Sequence, residues 1–188
     1  DLYRRAGAEL DAGIAQVNLA SALRTLERHD EAEALYTAAI ATGRRLGDLR
    51  LQDRALGGLG ILRSMQGRLA AARALLSEAL DLQRQRRDIH AQIETLYKFG
   101  LVARDEGQGY AQLAETLQPA WDLAQEHDAG RWLVAMAWLL GDVALDERLL
   151  LAYNAYATAA AIARQHGDEV RYRRSLDAIC RNVEELLA

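Results

Sequence analysis

Apolar residues recur every three or four positions through almost the whole chain, as in Leu19, Leu23 and Leu26, or Leu69, Ala72, Leu75, Leu76, Ala79 and Leu80. That spacing follows the 3.6-residue helical turn, so it predicts amphipathic helices rather than strands. Helices are expected near residues 9 to 28, 31 to 46, 49 to 66, 69 to 86, 89 to 106, 110 to 127, 130 to 145, 147 to 165 and 169 to 187. The polar breaks are periodic as well. Asp48, Asp88, Asp128 and Asp168 stand 40 residues apart and close the stretches RRLGD, RQRRD, AQEHD and ARQHGD. A second series, Ala20, Gly60, Gly100, Gly141 and Cys180, runs at intervals of 40, 40, 41 and 39. The two registers agree on repeats at about 9–48, 49–88, 89–128 and 129–168, each holding two helices, with a terminal helix at 169–187.

Each series has a local physical cause. An aspartate directly before a helix accepts hydrogen bonds from the first unpaired backbone amides and complements the helix dipole, so the four aspartates are read as N-caps. Small side chains are needed where two antiparallel helices cross closely. Cys180 falls in that series and is read as a small buried apolar residue, because no His or Lys lies within one turn to activate its thiol.

The first helix of each repeat carries Leu19-Ala20, Leu59-Gly60, Phe99-Gly100 or Leu140-Gly141. The second carries Ala32, Tyr36 and Ala39, then Ala72, Leu76 and Ala79, then Leu113, Leu117 and Ala120, then Ala152, Tyr156 and Ala159. This order resembles the tetratricopeptide repeat (TPR) over essentially the whole chain, in a 40-residue variant longer than the usual motif and similar to those of signalling scaffolds and large ATP-binding bacterial regulators. The resemblance implies an all-α, right-handed α-α superhelix of helix pairs. Four positions depart from the pattern: Arg63 replaces a core apolar residue, Gln108 or Gly109 adds a residue, Arg148 replaces a turn glycine, and Pro119 lies inside a helix, where a kink is expected.

Composition narrows the function. With 51% hydrophobic residues the chain can bury a core, and its single proline leaves little punctuation for a sheet of short strands. No apolar stretch is long enough for a membrane span. The first ten residues mix acids and arginines rather than forming a secretory leader, so a cytoplasmic protein is expected. Tyr3 and Ala6 repeat the spacing of Tyr36 and Ala39, and with Asp1 in first place they give the expectation of a piece of a longer array. A net charge of −4 argues against a nucleic-acid partner. Lys98 is the only lysine against 22 arginines, a bias that carries no functional reading.

The resemblance implies that the first helices line a concave groove, and it places Val17, Ser21, Arg24, Arg54, Ile61, Ser64, Met65, Glu94, Tyr97, Leu101, Arg104, Asp105, Trp138, Asp142 and Leu145 on it. The candidate binding residues are Arg24, Arg54, Ile61, Met65, Tyr97, Leu101, Arg104, Trp138 and Asp142. Arginine forks bind carboxylates, and aromatic or thioether side chains adapt to apolar ones, so this mixture suits an acidic-apolar peptide or a partner helix. The opposing reading keeps the arginines solvated or paired with acids and uses Tyr97 and Trp138 to fill gaps between repeats. At the places of the clamp by which related proteins hold chaperone C-termini stand Val17, Ser21, Gly58, Glu94 and Lys98, so that activity is not expected.

No phosphate loop, dinucleotide motif or nucleophile triad is present, so neither an enzyme nor a cofactor is expected. His29, His90, His127 and His166 are spread too far along the chain to share a metal. The basic clusters at Arg44, Arg45 and Arg50, at Arg84, Arg86 and Arg87, and at Arg171, Arg173 and Arg174 sit near helix ends, where they complement dipoles or face water. In the terminal helix Leu176, Ile179, Cys180, Val183 and Leu187 form one stripe, which either caps the array or opens a fifth repeat. The expected work is protein interaction in a bacterial regulatory protein. The alternatives are a self-associating scaffold or, by analogy with the regulators, a ligand-sensing array.

Overall fold

The computed structural model describes the backbone of residues 2 to 145 and 149 to 187, and the side chains within them except those of residues 2 to 4, 145, 149 to 151, 153 and 180 to 187. Arg148 and the side chains of Tyr3, Leu145, Cys180, Val183 and Leu187 therefore lie outside the described residues. The described residues form helices α1 (Leu2–Thr25), α2 (His29–Leu46), α3 (Leu49–Met65), α4 (Leu69–Gln85), α5 (Ile89–Asp105), α6 (Tyr110–Glu126), α7 (Gly130–Leu145), α8 (Leu149–Gln165) and α9 (Glu169–Leu187). No strand occurs among them. The expected boundaries hold within a few residues, except that α1 begins at Leu2 rather than near residue 9.

These helices gather into two compact units, Asp1–Lys98 and Phe99–Ala188, with the boundary inside α5. In unit 1, α1 packs on α2, α2 on α3, α3 on α4, and α1 also on α3. Turns of two or three residues join these neighbours, so consecutive helices run antiparallel. In unit 2, α6 packs on α7, α7 on α8, and α8 on α9. Each unit is thus a series of helices packed on their neighbours in chain order, as a helical repeat requires.

The core is built from the motif positions of the second helices. Ala32, Tyr36, Ala39, Ala72, Leu76, Ala79, Leu113, Leu117, Ala120, Ala152, Tyr156 and Ala159 are all buried. The glycines of the first helices take the other half of each crossing. A Cβ on Gly60 would lie 3.0 Å from Leu76 Cδ2, one on Gly141 would lie 2.6 Å from Tyr156 Cε1, and one on Gly100 would run into Leu117 Cδ2. At Gly60, Gly100 and Gly141 the small-residue series thus marks close helix crossings.

The aspartate series is correct at three places and fails at the fourth. Asp48 accepts from Leu51 N at 2.6 Å, Asp88 from Ala91 N at 3.1 Å and Asp168 from Arg171 N at 3.0 Å. Asp128 caps nothing: it adopts a left-handed conformation with φ of 51° and precedes Ala129, which in turn precedes α7. The cause is the residue added at Gln108 or Gly109. The described left-handed turn residues are Glu27, Gly47, Gly67, Arg87, Gly107, Asp128 and Gly167. They recur every 20 residues until the added residue delays the next turn by one. Asp128 keeps its place in the numbering but slips from cap to turn, and the register is restored by Gly167.

A left-handed conformation costs a non-glycine residue roughly 1–2 kcal/mol. Arg87, at φ 55°, carries that cost where Gly47, Gly67 and Gly107 avoid it. Replacing Arg87 with glycine is expected to raise stability by about 1 kcal/mol, measurable as a higher urea midpoint. Helix α6 runs through Pro119 without interruption, and the proline is exposed.

Candidate functional site

In unit 1 the first helices α1 and α3 lie side by side and carry four of the candidate groove residues. Arg24 is half-buried near the end of α1, and its Nη1 lies 3.6 Å from the sulfur of Met65 at the end of α3. Arg54, exposed on α3, donates to Asn18 Oδ1 of α1 at 3.1 Å. Met65 is 47% exposed and Ile61 is half-buried. Neither Arg24 nor Arg54 has a carboxylate partner among the described residues. That distinguishes them from Arg28, Arg44, Arg45, Arg63, Arg84, Arg86, Arg171 and Arg173, each of which meets an acid. Tyr97 belongs to the same unit and is half-buried on α5.

Unit 2 employs its candidates differently. Arg104 is exposed and lies 2.8 Å from Asp105. Leu101 is half-buried. Trp138 donates its indole N–H to Ser175 Oγ at 3.0 Å and meets the Tyr156 ring edge-on at 5.0 Å. The Tyr156 hydroxyl in turn donates to Asp142 at 2.7 Å. Trp138 and Asp142 thus tie α7 to α8 and α9, which is the gap-filling role weighed against groove binding for Trp138. Two further positions expected to face the groove, Val17 and Ser64, are buried. Val17 joins the core of unit 1, where it packs with Leu23, Tyr36 and Leu56 among others.

The five places of the chaperone-tail clamp are engaged in structure. Val17 is core, the Ser21 hydroxyl lies 2.9 Å from Tyr36 Oη, Gly58 abuts the Tyr36 ring, and Lys98 donates to Glu94 at 2.7 Å. Arg63, the cation at an apolar motif position, is held by both carboxylate oxygens of Glu33, and the hydrogen bonds from Arg63 hold Glu33 below the usual carboxylate range. A salt bridge therefore replaces an apolar contact there.

The periodicity gave no sign of a buried acid on α3. Asp53 is 2% exposed, with Arg86 Nη2 at 3.0 Å from its Oδ2 and Gln83 Nε2 at 3.4 Å from its Oδ1. Burial pushes its carboxyl up to about 6, against the opposing pull of Arg86, Gln83 and Lys98, while Asp88 pushes the same way as burial. A carboxyl with a higher pKa in the folded state binds its proton more tightly there. Its contribution to stability therefore falls as pH rises from about 4 to about 6. The Tm difference between Asp53→Asn and the parent is expected to grow in favour of the variant across that window. An unchanged difference from pH 4 to 7.5 would show that Asp53 is not buried as described.

Among the described residues no helix is long and apolar enough to cross a membrane, and no three His, Cys, Asp or Glu side chains converge as a metal site.

Residues 11 to 85 match the family model described as "Tetratricopeptide repeat". No curated protein matches the chain in sequence. Among solved structures, the chain is similar to BtubC (BKLC) from P. vanneervenii at 15% identity and a TM-score of 0.45, covering 100% of this chain and 93% of that one.

Proposed function

This chain is a tetratricopeptide repeat protein, with residues 11 to 85 as the matched stretch, and from that premise we propose that its first-helix face in unit 1 binds an acidic-apolar peptide segment of a partner protein. The observation that carries this reading is the pair Arg24 and Arg54, two cations on adjacent helices whose neighbours are the neutral groups of Met65 and Asn18. A guanidinium without an acid of its own can give its fork to a carboxylate from outside, and Met65 and Ile61 supply adaptable apolar contact beside it. In the same reading the chain is an interaction module of a cytoplasmic bacterial signalling or regulatory protein and has no catalytic role.

Peptides selected on the immobilised chain should alternate Asp or Glu with apolar residues. The double change Arg24→Glu and Arg54→Glu should weaken them at least tenfold while helicity by circular dichroism stays the same. Binding that survives both changes would show the site to be elsewhere.

A second reading, self-association, is favoured by α1 itself. Ala12, Ala15, Leu19 and Ala22 lie at helical spacing on one exposed face. Their counterparts 40 residues on, Gln52, Ala55, Leu59 and Leu62 of α3, are buried. A repeat position that is covered in α3 and bare in α1 offers a docking face to a second copy. Mass by light scattering should then rise with concentration and revert with Leu19→Glu; a strict monomer at every concentration would rule this reading out.

A further inference from the structure

A cleft of about 370 Å³ lies in unit 2, where α6 and α8 both pack on α7. One side is a single face of α6: Tyr110, Ala114, Gln118, Trp121 and Gln125 follow each other at intervals of four, four, three and four. The other side is Asn154 and Thr158, one turn apart on α8. Ala137 and Leu140 of α7 contribute apolar surface between them. The volume falls in the range of about 300–1,000 Å³ usual for ligand clefts.

Among the described residues the lining carries no Asp, Glu, Lys or Arg. A charged group entering it would lose hydration and meet no charged side chain in the described lining, and the Asp122 carboxylate beside it is already engaged by Gln118, so entry is costly. A peptide amide would lose hydration too, but it would meet side-chain amides that both donate and accept. Gln118 is steadied by donating to Asp122 at 2.7 Å, which leaves its carbonyl oxygen to accept. Thr158 donates to the Asn154 carbonyl at 2.9 Å, so its hydroxyl oxygen keeps lone pairs for an incoming N–H. The Gln125 and Asn154 side chains are exposed and make no hydrogen bond within the described residues. Trp121 is half-buried against the Val134, Ala137, Ala159 and Ala163 cluster, which holds its ring in place as an apolar platform.

We propose that this cleft binds a short, uncharged peptide segment of another protein, with one aromatic or branched apolar side chain against Trp121 and its main-chain amides held by Gln118 and Gln125 on one side and by Asn154 and Thr158 on the other. The site shares no residue with the Arg24 and Arg54 face and is independent of the reading given to that face.

The test is an NMR titration of the full chain with the blocked tetrapeptide acetyl-Ala-Phe-Ala-Ala-amide. Saturable shifts are expected at the Trp121 indole N–H and the side-chain amides of Gln118, Gln125 and Asn154. Peptides with Asp or Lys in place of the alanines should bind at least about tenfold more weakly, as should the neutral peptide to Gln125→Glu, a near-isosteric change at an exposed site. Arg54→Glu should leave the titration unchanged. The proposal is overturned if no saturable shift appears, if the shifts fall outside α6 to α8, or if the charged peptides bind equally well. It is also overturned if acetyl-phenylalanine-amide alone binds as tightly as the tetrapeptide, since the site would then recognise a small molecule rather than a peptide.

Discussion

Replacing Tyr36 with alanine is expected to lower stability by about 3–5 kcal/mol, the cost of emptying a fully enclosed aromatic site. The ring is 0% exposed and abuts Gly58, and its hydroxyl lies 2.9 Å from Ser21 Oγ. The loss thus combines the lost burial of an aromatic ring, a cavity among α1, α2 and α3, and the loss of the hydroxyl contact to Ser21, which keeps its own bond to the Val17 carbonyl. Tyr36→Phe separates these contributions: it keeps the ring and forfeits only the hydroxyl contact, so about 1 kcal/mol is expected. Urea denaturation of the two variants checks both figures, and a Tyr36→Ala midpoint close to that of the parent would mean that the three helices do not pack as described.

The second large effect lies in unit 2. Gly100→Val places a branched side chain where a Cβ alone already runs into Leu117 Cδ2 and comes within 3.3 Å of Leu139 Cδ2. Leu117 is 1% exposed and cannot swing into solvent, so the helices must separate. Overpacking of this kind costs about 1–3 kcal/mol, which the higher helix propensity of valine over glycine offsets only in small part. Gly7→Ala is the control, because nothing lies within 4 Å of the added methyl there. It should be neutral or stabilising. Amide exchange read residue by residue shows in which unit each variant loosens the structure.

The contrast between these two sites explains why so much of the fold was legible in the chain. A closed crossing needs a small residue on one helix and a fitting large one on the other, so Gly60 with Leu76, and Gly141 with Tyr156, leave paired marks that recur with the period. The Asp48, Asp88 and Asp168 caps are legible for the same reason: a local backbone need selects a residue type at a fixed place. Asp128 shows the limit of that logic. The added residue near Gln108 was visible, but the numbering coincidence at Asp128 concealed the shift that made it a turn residue.

The candidate site was less legible, because a helical period says which face a residue occupies and not what it touches there. Trp138 and Asp142 sit at positions expected to face the groove, yet Ser175 and Tyr156 engage them. Arg24 and Arg54 belong to the same class of positions and have no acid beside them among the described residues. Only the packing of the folded chain separates the two cases. Asp53 was hidden for a related reason: a carboxylate at an apolar-face position reads as an interruption of the pattern, and its partners Gln83 and Arg86 lie 30 and 33 residues further along the chain. The cleft between α6 and α8 depends on how far apart two second helices stand on α7, a distance that no residue spacing encodes.

The central claim, that the first-helix face of unit 1 receives a protein partner, is tested most directly by photo-crosslinking in the host cell's extract. A benzophenone amino acid is placed at position 54 on α3 or, for comparison, at the exposed position 74 on α4. One discrete adduct is expected from position 54, lost when Arg24→Glu is added, and none from position 74. An adduct formed equally from both positions, or one from position 54 that persists with Arg24→Glu, would contradict the claim.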